Sequence, residues 1–324
     1  MIAIKPYAKV LDITTGVNVL KKIEWIGRTC YKSTDKITDG SAERFVSGLI
    51  KRGHEAMLEH ASFCFEVDDD IFNDILANDR YFERVIKGYK SFLRNTNVER
   101  NLISGNVRAW RNFFKAFVEN YGYLHGYAEK FIHDNPVLFP EFQDCIFRDF
   151  FENIIRPVMV EDIQDELEIL KHVDFTVLWV VDRGISHELV RHRPASFAQE
   201  STRYCNYSKD QFGGQITFII PEFFEYGTPA WKVWKNSMER CEADYITLIN
   251  MGVSPEKART VLSSSLKTEV IMTANCEEWR HFFKLRACNV TGKAHPQMLE
   301  VAQPLLDEFK NIVTVIFDDL AYGE

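Results

Sequence analysis

Strand-like and helix-like segments follow one another along this chain with no βαβ rhythm. Parallel crossover folds need the two to alternate, so the irregular order points to an α+β class: a mixed sheet flanked by helices. No G-x-G-x-x-G occurs in the 324 residues, which removes the phosphate turn of a Rossmann domain. With 46% hydrophobic residues the chain can bury a sizeable core, as one large domain or two modest ones.

Residues 2–14 alternate loosely and read as a strand. Residues 16–30 place Val17, Leu20, Ile23 and Ile26 near helical spacing. Ser41 opens a second helix, with Glu43 in its first turn and Gly53 as its stop. Residues 61–67 read as a strand. From 68 to 171 the text turns helical and aromatic-rich, as in VRAWRNFFKAFVENYGYL. This stretch reads as a helical insertion of small-domain size between 1–67 and 172–324. Residues 172–181 and 215–220 read as strands, and 184–191, 229–251, 277–286 and 297–312 as helices. Ser254 is an expected N-cap, with Pro255 at the first position of a helix carrying Arg259.

A formal net charge of -8 argues against a broad nucleic-acid-binding surface. No apolar run is long enough to span a bilayer, and residues 1–10 lack the features of a signal peptide. The expectation is a cytoplasmic protein with no nucleic-acid or membrane partner. Seven scattered cysteines, with no C-x-x-C spacing, read as reduced buried thiols rather than a disulfide framework or a metal site.

Against that acidic background, Arg191 to Tyr204 (RHRPASFAQESTRY) gathers four potentially cationic side chains. Such density suits a phosphorylated ligand, since guanidinium groups offer forked donors to phosphate oxygens and serine adds a hydroxyl. A solvated basic face or an RNA-binding patch would carry the same composition. The apolar neighbours Ile185, Leu189, Val190 and Phe197 favour a lined pocket.

Arg191-His192-Arg193, seven residues, Ser201 and then Arg203 resembles the signature of flavin-dependent thymidylate synthases. Several fixed positions must coincide for it, unlike a lone glycine motif. Other segments agree in order. Arg28-Thr29-Cys30-Tyr31 resembles the short N-terminal motif, and residues 53–60 (GHEAMLEH) resemble Gly-His-Glu-x-x-x-Glu-His. Ala258-Arg259 resembles a nucleotide-contact motif. Asn275 with residues 279–286 (WRHFFKLR) resembles the final flavin and nucleotide motif.

The resemblance implies reductive methylation of dUMP to dTMP, with 5,10-methylenetetrahydrofolate as carbon donor, FAD as cofactor and NADPH as reductant. It implies a homotetramer with shared sites. It places His54, Glu59, Arg191, His192, Arg193, Gln199, Asn275 and His281 along the flavin. It places Glu188, Arg191, Gln199, Glu200, Ser201, Thr202, Arg203 and Arg286 at dUMP, with Arg259 joining from another subunit. Arg286 and Ser201 are the expected catalytic residues. Arg286 faces the pyrimidine, where a guanidinium favours the N3-deprotonated uracil and raises electron density at C5. Ser201 reads as a binder, because no nearby residue is an evident base for it and the family chemistry requires no enzyme nucleophile.

Four positions depart from the family pattern: Ala198-Gln199 stands where Asn-Glu is common, Glu188 where Gln is common, and Ala56 lacks a hydroxyl some members have. The insertion is expected to pack outside the catalytic centre. A cysteine-dependent thymidylate synthase is one rival, but no cysteine here follows a proline and precedes a histidine. A nucleotide- or RNA-binding protein without catalysis is the other, and it leaves the His54/Glu59 and His281/Arg286 motifs without a role.

Overall fold

The computed structural model describes residues 1–12, 18–66, 96–99, 102–148, 156–158, 163–207 and 214–323. Among these the strands are β1 (Ile2–Ile4), β2 (Tyr7–Asp12), β3 (Ser62–Glu66), β4 (Thr96–Glu99), β5 (Leu102–Asn106) and β6 (Leu124–His125). Next come β7 (Phe147–Arg148), β8 (Arg156–Val158), β9 (Asp174–Asp182), β10 (Ser196–Gln199), β11 (Thr217–Ile219) and β12 (Lys267–Asn275). They form two four-stranded antiparallel sheets, ordered β10-β12-β9-β2 and β4-β5-β3-β8. Two short parallel pairs, β1 with β11 and β6 with β7, complete the strand set. Both larger sheets are antiparallel, with helices packed against them rather than serving as crossovers between parallel strands, which is the expected α+β class.

The centre of the first sheet is β9 against β12, paired along the whole length of both strands from Lys267↔Asp182 to Asn275↔Asp174. The middle of each strand, Val177–Val181 and Val270–Met272, is apolar on both faces, and both faces are covered. Phe175, Val177, Trp179, Val270 and Met272 meet Trp279, Phe282 and Phe283 of the helix Cys276–Arg286, and Phe309 of the helix Pro296–Ile312. Burying each such ring stabilises the fold by roughly 1.5–3 kcal/mol. The opposite face carries Leu178, Ile271 and Ala198 onto Ile26 and Cys30 of the helix Val19–Cys30. The sheet is therefore sandwiched, and residues at its strand ends are held from both sides.

The stretch from 68 to 171 departs from expectation. Residues 67–95 lie outside the described residues, as do shorter parts of the stretch at 100–101, 149–155 and 159–162. Within the rest, the helices Val107–Tyr121, Tyr127–Asp134 and Glu166–His172 share the sequence with β4 to β8. The helical reading missed β5 because LISGN is too short to show a period, and its five residues are all buried. What makes it a strand is distant pairing, Ser62↔Asn106 through Glu66↔Leu102. Nor do its described residues pack only among themselves: Val107, Phe114, Ile132 and Phe139 join one cluster with Ile23, Val46 and Leu58.

Smaller differences have local causes. The loose strand over 2–14 is two strands, divided at Lys5 and Pro6, and 13–14 lie outside the described residues. The first helix begins at Val19; residues 16 and 17 of its expected span are likewise outside. Pro255 does open a helix with Ser254 at its N-cap, but the Ser254 hydroxyl accepts no capping hydrogen bond and the helix ends at Ala258, so Arg259 begins a 3-10 turn. The second helix, Ser41–Lys51, ends as expected beside Gly53, whose φ of +66° suits glycine. No described helix is long and apolar enough to cross a membrane. All seven cysteines are free thiols, five buried and two half-buried.

Candidate active site

The helix Cys276–Arg286 is capped by Asn275, whose Oδ1 accepts from the Glu278 N–H at 3.0 Å while its Nδ2 donates to the Lys171 carbonyl at 3.2 Å. Glu278, His281, Phe282 and Arg286 follow at i, i+3, i+4 and i+8, so they share one helix face. On that face Glu278 Oε1 accepts from His192 Nδ1 at 3.0 Å, and Arg286 Nε donates to His192 Nε2 at 3.3 Å. A carboxylate only accepts and a guanidinium only donates, so the two bonds fix the His192 proton on Nδ1. Arg286 Nη1 continues to Glu188 Oε2 at 2.8 Å. The result is a chain, Glu278–His192–Arg286–Glu188, anchored by a histidine only 4% exposed that lies 4.8 Å from the Phe282 ring.

Glu278 and His281 also line a cleft of about 410 Å³, within the usual size of a small-molecule site. Its carboxylates are Glu59, Asp174, Glu277 and Glu278; its hydroxyls come from Ser62, Ser104, Ser196 and Thr273, and Asn275 adds an amide. Glu59 is held at both oxygens, by Arg108 Nη1 at 2.5 Å and by Ser196 Oγ at 3.3 Å. Asp174 accepts from Ser62 Oγ at 2.5 Å. Burial pushes the Asp174 carboxyl up, with the Ser62 bond opposing. Two buried histidines support the walls. His60 Nδ1 lies 2.8 Å from Thr273 Oγ1, and burial pushes the ring down to about 3. His172 Nδ1 lies 2.7 Å from Ser104 Oγ, and burial, aided by Lys171, pushes it down to about 4.

A second group collects at the far end of β10. Gln199 Nε2 donates to Ser186 Oγ at 3.0 Å and Thr268 Oγ1 at 3.2 Å. Glu200, 2% exposed, takes Lys267 Nζ at 2.9 Å and the Tyr207 hydroxyl at 3.2 Å. Burial works against the Lys267 charge, but the Glu200 and Glu269 carboxylates together outweigh it and raise the group. The departure at 198–200 thereby has a physical reading: Ala198 is buried in the core beneath the sheet, and the Glu200 carboxylate is engaged internally. The Ser201 N–H bonds the Cys30 carbonyl at 3.0 Å, and the Tyr31 and Tyr204 rings sit 5.2 Å apart, so residues 28–31 meet this loop.

Arg259 Nη1 donates to Thr202 Oγ1 of the same chain at 3.2 Å, so no neighbouring subunit is needed to bring these two motifs together. Arg203 is exposed, its guanidinium 5.5 Å from the Tyr204 ring centre. His54, Arg191 and Arg193 are exposed too, and none of the three lines the cleft. The expected residues thus divide into a Glu59/Asn275/His281 cleft and a Ser201–Arg203 loop with Arg259. Five residues of extended chain from Ser196 to Ser201 put them roughly 16 Å apart. Sequence reasoning missed Glu278, Asp174, Ser196 and Lys267. For Glu278 a signal existed, the helical spacing that sets it on the face of His281 and Arg286.

A protein-family model described as thymidylate synthase complementing protein matches residues 10–72 and 151–314, more than half of the chain. The chain belongs to that family. Among the family's relatives, the flavin-dependent thymidylate synthase of Pyrococcus furiosus is 38% identical over 141 residues, 43% of this chain and 56% of that protein. The flavin-dependent thymidylate synthase of Geobacter sulfurreducens is 33% identical over 156 residues, 48% of this chain and 64% of that protein. The matched stretches thus span little more than half the length of these curated relatives. Among solved structures, the UMP/dUMP methylase PolB from Streptomyces cacaoi bound with 5-Br dUMP aligns over 98% of this chain and 96% of its own, at 14% identity and a TM-score of 0.42. The family match takes in every expected site residue and leaves 73–150 outside it.

Proposed function

We propose that this chain is an FAD-dependent thymidylate synthase that converts dUMP to dTMP, with methylenetetrahydrofolate as carbon donor and NADPH as reductant. The observation that carries the reading is the Glu278–His192–Arg286–Glu188 chain, which joins two motif segments 94 residues apart. Family membership supports it. So do the thiols: burial, first among the causes, raises every one of the seven, with Cys30 pushed up to about 11 and Cys64 and Cys205 to about 12. A nucleophilic cysteine needs its thiolate, so the cysteine-dependent rival loses ground.

The donor set suits a flavin dinucleotide. Cleft carboxylates and hydroxyls accept from amine and sugar hydroxyl groups, and the exposed Arg191 and Arg193 guanidinium groups suit a diphosphate. His54, Glu59, His192, Gln199, Asn275 and His281 complete the proposed flavin set. Asn275 also caps a helix, so its amide has one acceptor position and one N–H left for a ligand. When bound, the flavin supplies hydride transfer; the protein supplies binding, orientation and charge.

For dUMP, Ser201, Arg203 and Arg259 bind the phosphate end, with Thr202 steadying Arg259. Arg286 meets the pyrimidine ring, oriented by Glu188 and His192, and its fixed charge favours the electron-rich ring that the reaction needs. The separation of the cleft from the Ser201–Arg203 loop supports sites completed by a neighbouring copy, as in a homotetramer. The test is a titration of the purified protein with FAD, followed by product analysis. A flavin spectrum on titration, and tetrahydrofolate formed with dTMP, are expected. No flavin signal, or stoichiometric dihydrofolate, overturns the reading.

A further inference from the structure

The stretch from 68 to 171 was expected to pack outside the catalytic centre, yet its described residues at 104–106 line the cleft. β5 ends at the cleft, where Ser104, Gly105 and Asn106 form part of its wall. Asn106 Oδ1 then caps the helix Val107–Tyr121 through the Ala109 N–H at 2.8 Å. Two arginines one turn apart on that helix, Arg108 and Arg111, reach the Glu55–His60 turn, which carries the only two glutamates of the GHEAMLEH motif.

Their jobs differ. Arg111 is buried at 5% exposure and spans the Leu138 carbonyl, Glu141 at 2.5 Å and Glu55 at 3.2 Å. It fixes the helix against the turn. Arg108 is more open, its side chain 43% exposed, and pairs with Glu59 at 2.5 Å. Glu59 is one of four carboxylates lining the cleft, so its unpaired charge would oppose an anionic ligand there. Arg108 offsets that charge, and by holding one oxygen it leaves the other for Ser196.

We propose that β5 and the helix Val107–Tyr121, which lie outside the family match, form part of the ligand site, and that Arg108 is a positioning residue that holds Glu59 for a flavin dinucleotide bound in the cleft. The proposal rests on the FAD reading given above. Arg108 acts through Glu59, so its effect depends on the carboxylate being there.

The experiment measures FAD affinity by flavin absorbance and fluorescence in the full chain, at low and high salt, together with the melting temperature. The variants are Arg108→Ala, Arg108→Lys, Glu59→Gln and the double variant Glu59→Gln/Arg108→Ala. For a half-exposed ion pair, Arg108→Ala should weaken FAD binding about 5-fold at low salt, and less at high salt. Arg108→Lys should recover most of the loss, because the charge remains. In the Glu59→Gln background, removing Arg108 should change affinity by less than about 2-fold, the sign of coupled neighbours. Parent-like FAD binding by Arg108→Ala overturns the proposal. An equal loss with and without the Glu59 carboxylate overturns it as well. If the parent chain itself takes up no flavin, the functional reading falls and takes this one with it. A parent that binds flavin beside an indifferent Arg108→Ala sinks only this inference.

Discussion

Replacing Arg286 with lysine keeps the charge and removes the fork. In the structure two different nitrogens are engaged in two directions, Nε with His192 at 3.3 Å and Nη1 with Glu188 at 2.8 Å. A lysine ammonium is a single point on a flexible stem and can hold one of these partners, not both in place. The stronger attraction is to the Glu188 carboxylate, so His192 Nε2 loses its donor in a site where the ring is 4% exposed. An unsatisfied buried acceptor costs about 1–3 kcal/mol, which lowers the melting temperature by about 2–6 °C in a domain of this size. The larger effect falls on turnover. A hydrogen bond to a charged group contributes about 1.5–3 kcal/mol, so a contact that strengthens as charge grows on the pyrimidine is worth about 10- to 150-fold in rate. Arg286→Lys should therefore turn over slowly at saturating dUMP while flavin reduction by NADPH largely survives. Stopped-flow flavin reduction, steady-state dTMP formation and a dUMP binding isotherm separate the steps. Normal turnover at saturating dUMP would refute the assignment of Arg286 to the reacting ring.

Other outcomes follow from the same geometry. Arg203→Ala should weaken dUMP binding by about 10- to 150-fold with flavin retained, since a charge-assisted bond to phosphate is lost; an unchanged dUMP isotherm sinks that role. Iodoacetamide at neutral pH should leave dTMP formation intact, because burial raises all seven thiols; inactivation by a single alkylation, located by mass spectrometry, would reverse the view of the cysteines. Acid should destabilise the fold from below pH 6.5. An unfolded histidine takes up its proton near 6.5, whereas His60 and His172 resist down to about 3 and about 4, so the unfolded chain binds more protons across that window. Their contribution is complete above pH 6.5 and is lost as pH falls, while the raised Asp174 carboxyl acts in the opposite sense. Melting temperatures flat from pH 7 to 4.5 would contradict this.

What the sequence disclosed depended on whether the information was local. The helix Ser41–Lys51 and the helix Pro229–Asn250 carry their period and their stop or start residues within themselves. β5 and β10 do not: each is a few residues long and becomes a strand only through a partner far along the chain. β12 was missed for a related reason, since a run buried on both faces has no alternation to read. At the site, the Arg191–Arg203 stretch was visible as a density of charge, but the partner that fixes His192 was not. Glu278 belongs to another segment, and only folding brings the two together. The contact of Arg108 with Glu59 was out of reach altogether, because no local pattern marks one surface arginine among many.

The seven residues between Arg193 and Ser201 include the strand β10, and this makes their number a mechanical constraint. β10 is laced to β12 from Ser196↔Thr273 to Gln199↔Val270, with Ser196 and Ala198 turned into the protein and Phe197 and Gln199 half-covered. Adding or removing one residue would advance the chain by about 3.3 Å and turn every later side chain to the opposite face. Ser196 would lose Glu59, Ala198 would leave its apolar seat, and the buried Glu200 carboxylate would swing away from Lys267. A change of side chain along this segment leaves the register with β12 in place, whereas a change of length shifts it. β10 works as a ruler with both ends pinned, and the fixed spacing in the sequence is the mark of that ruler.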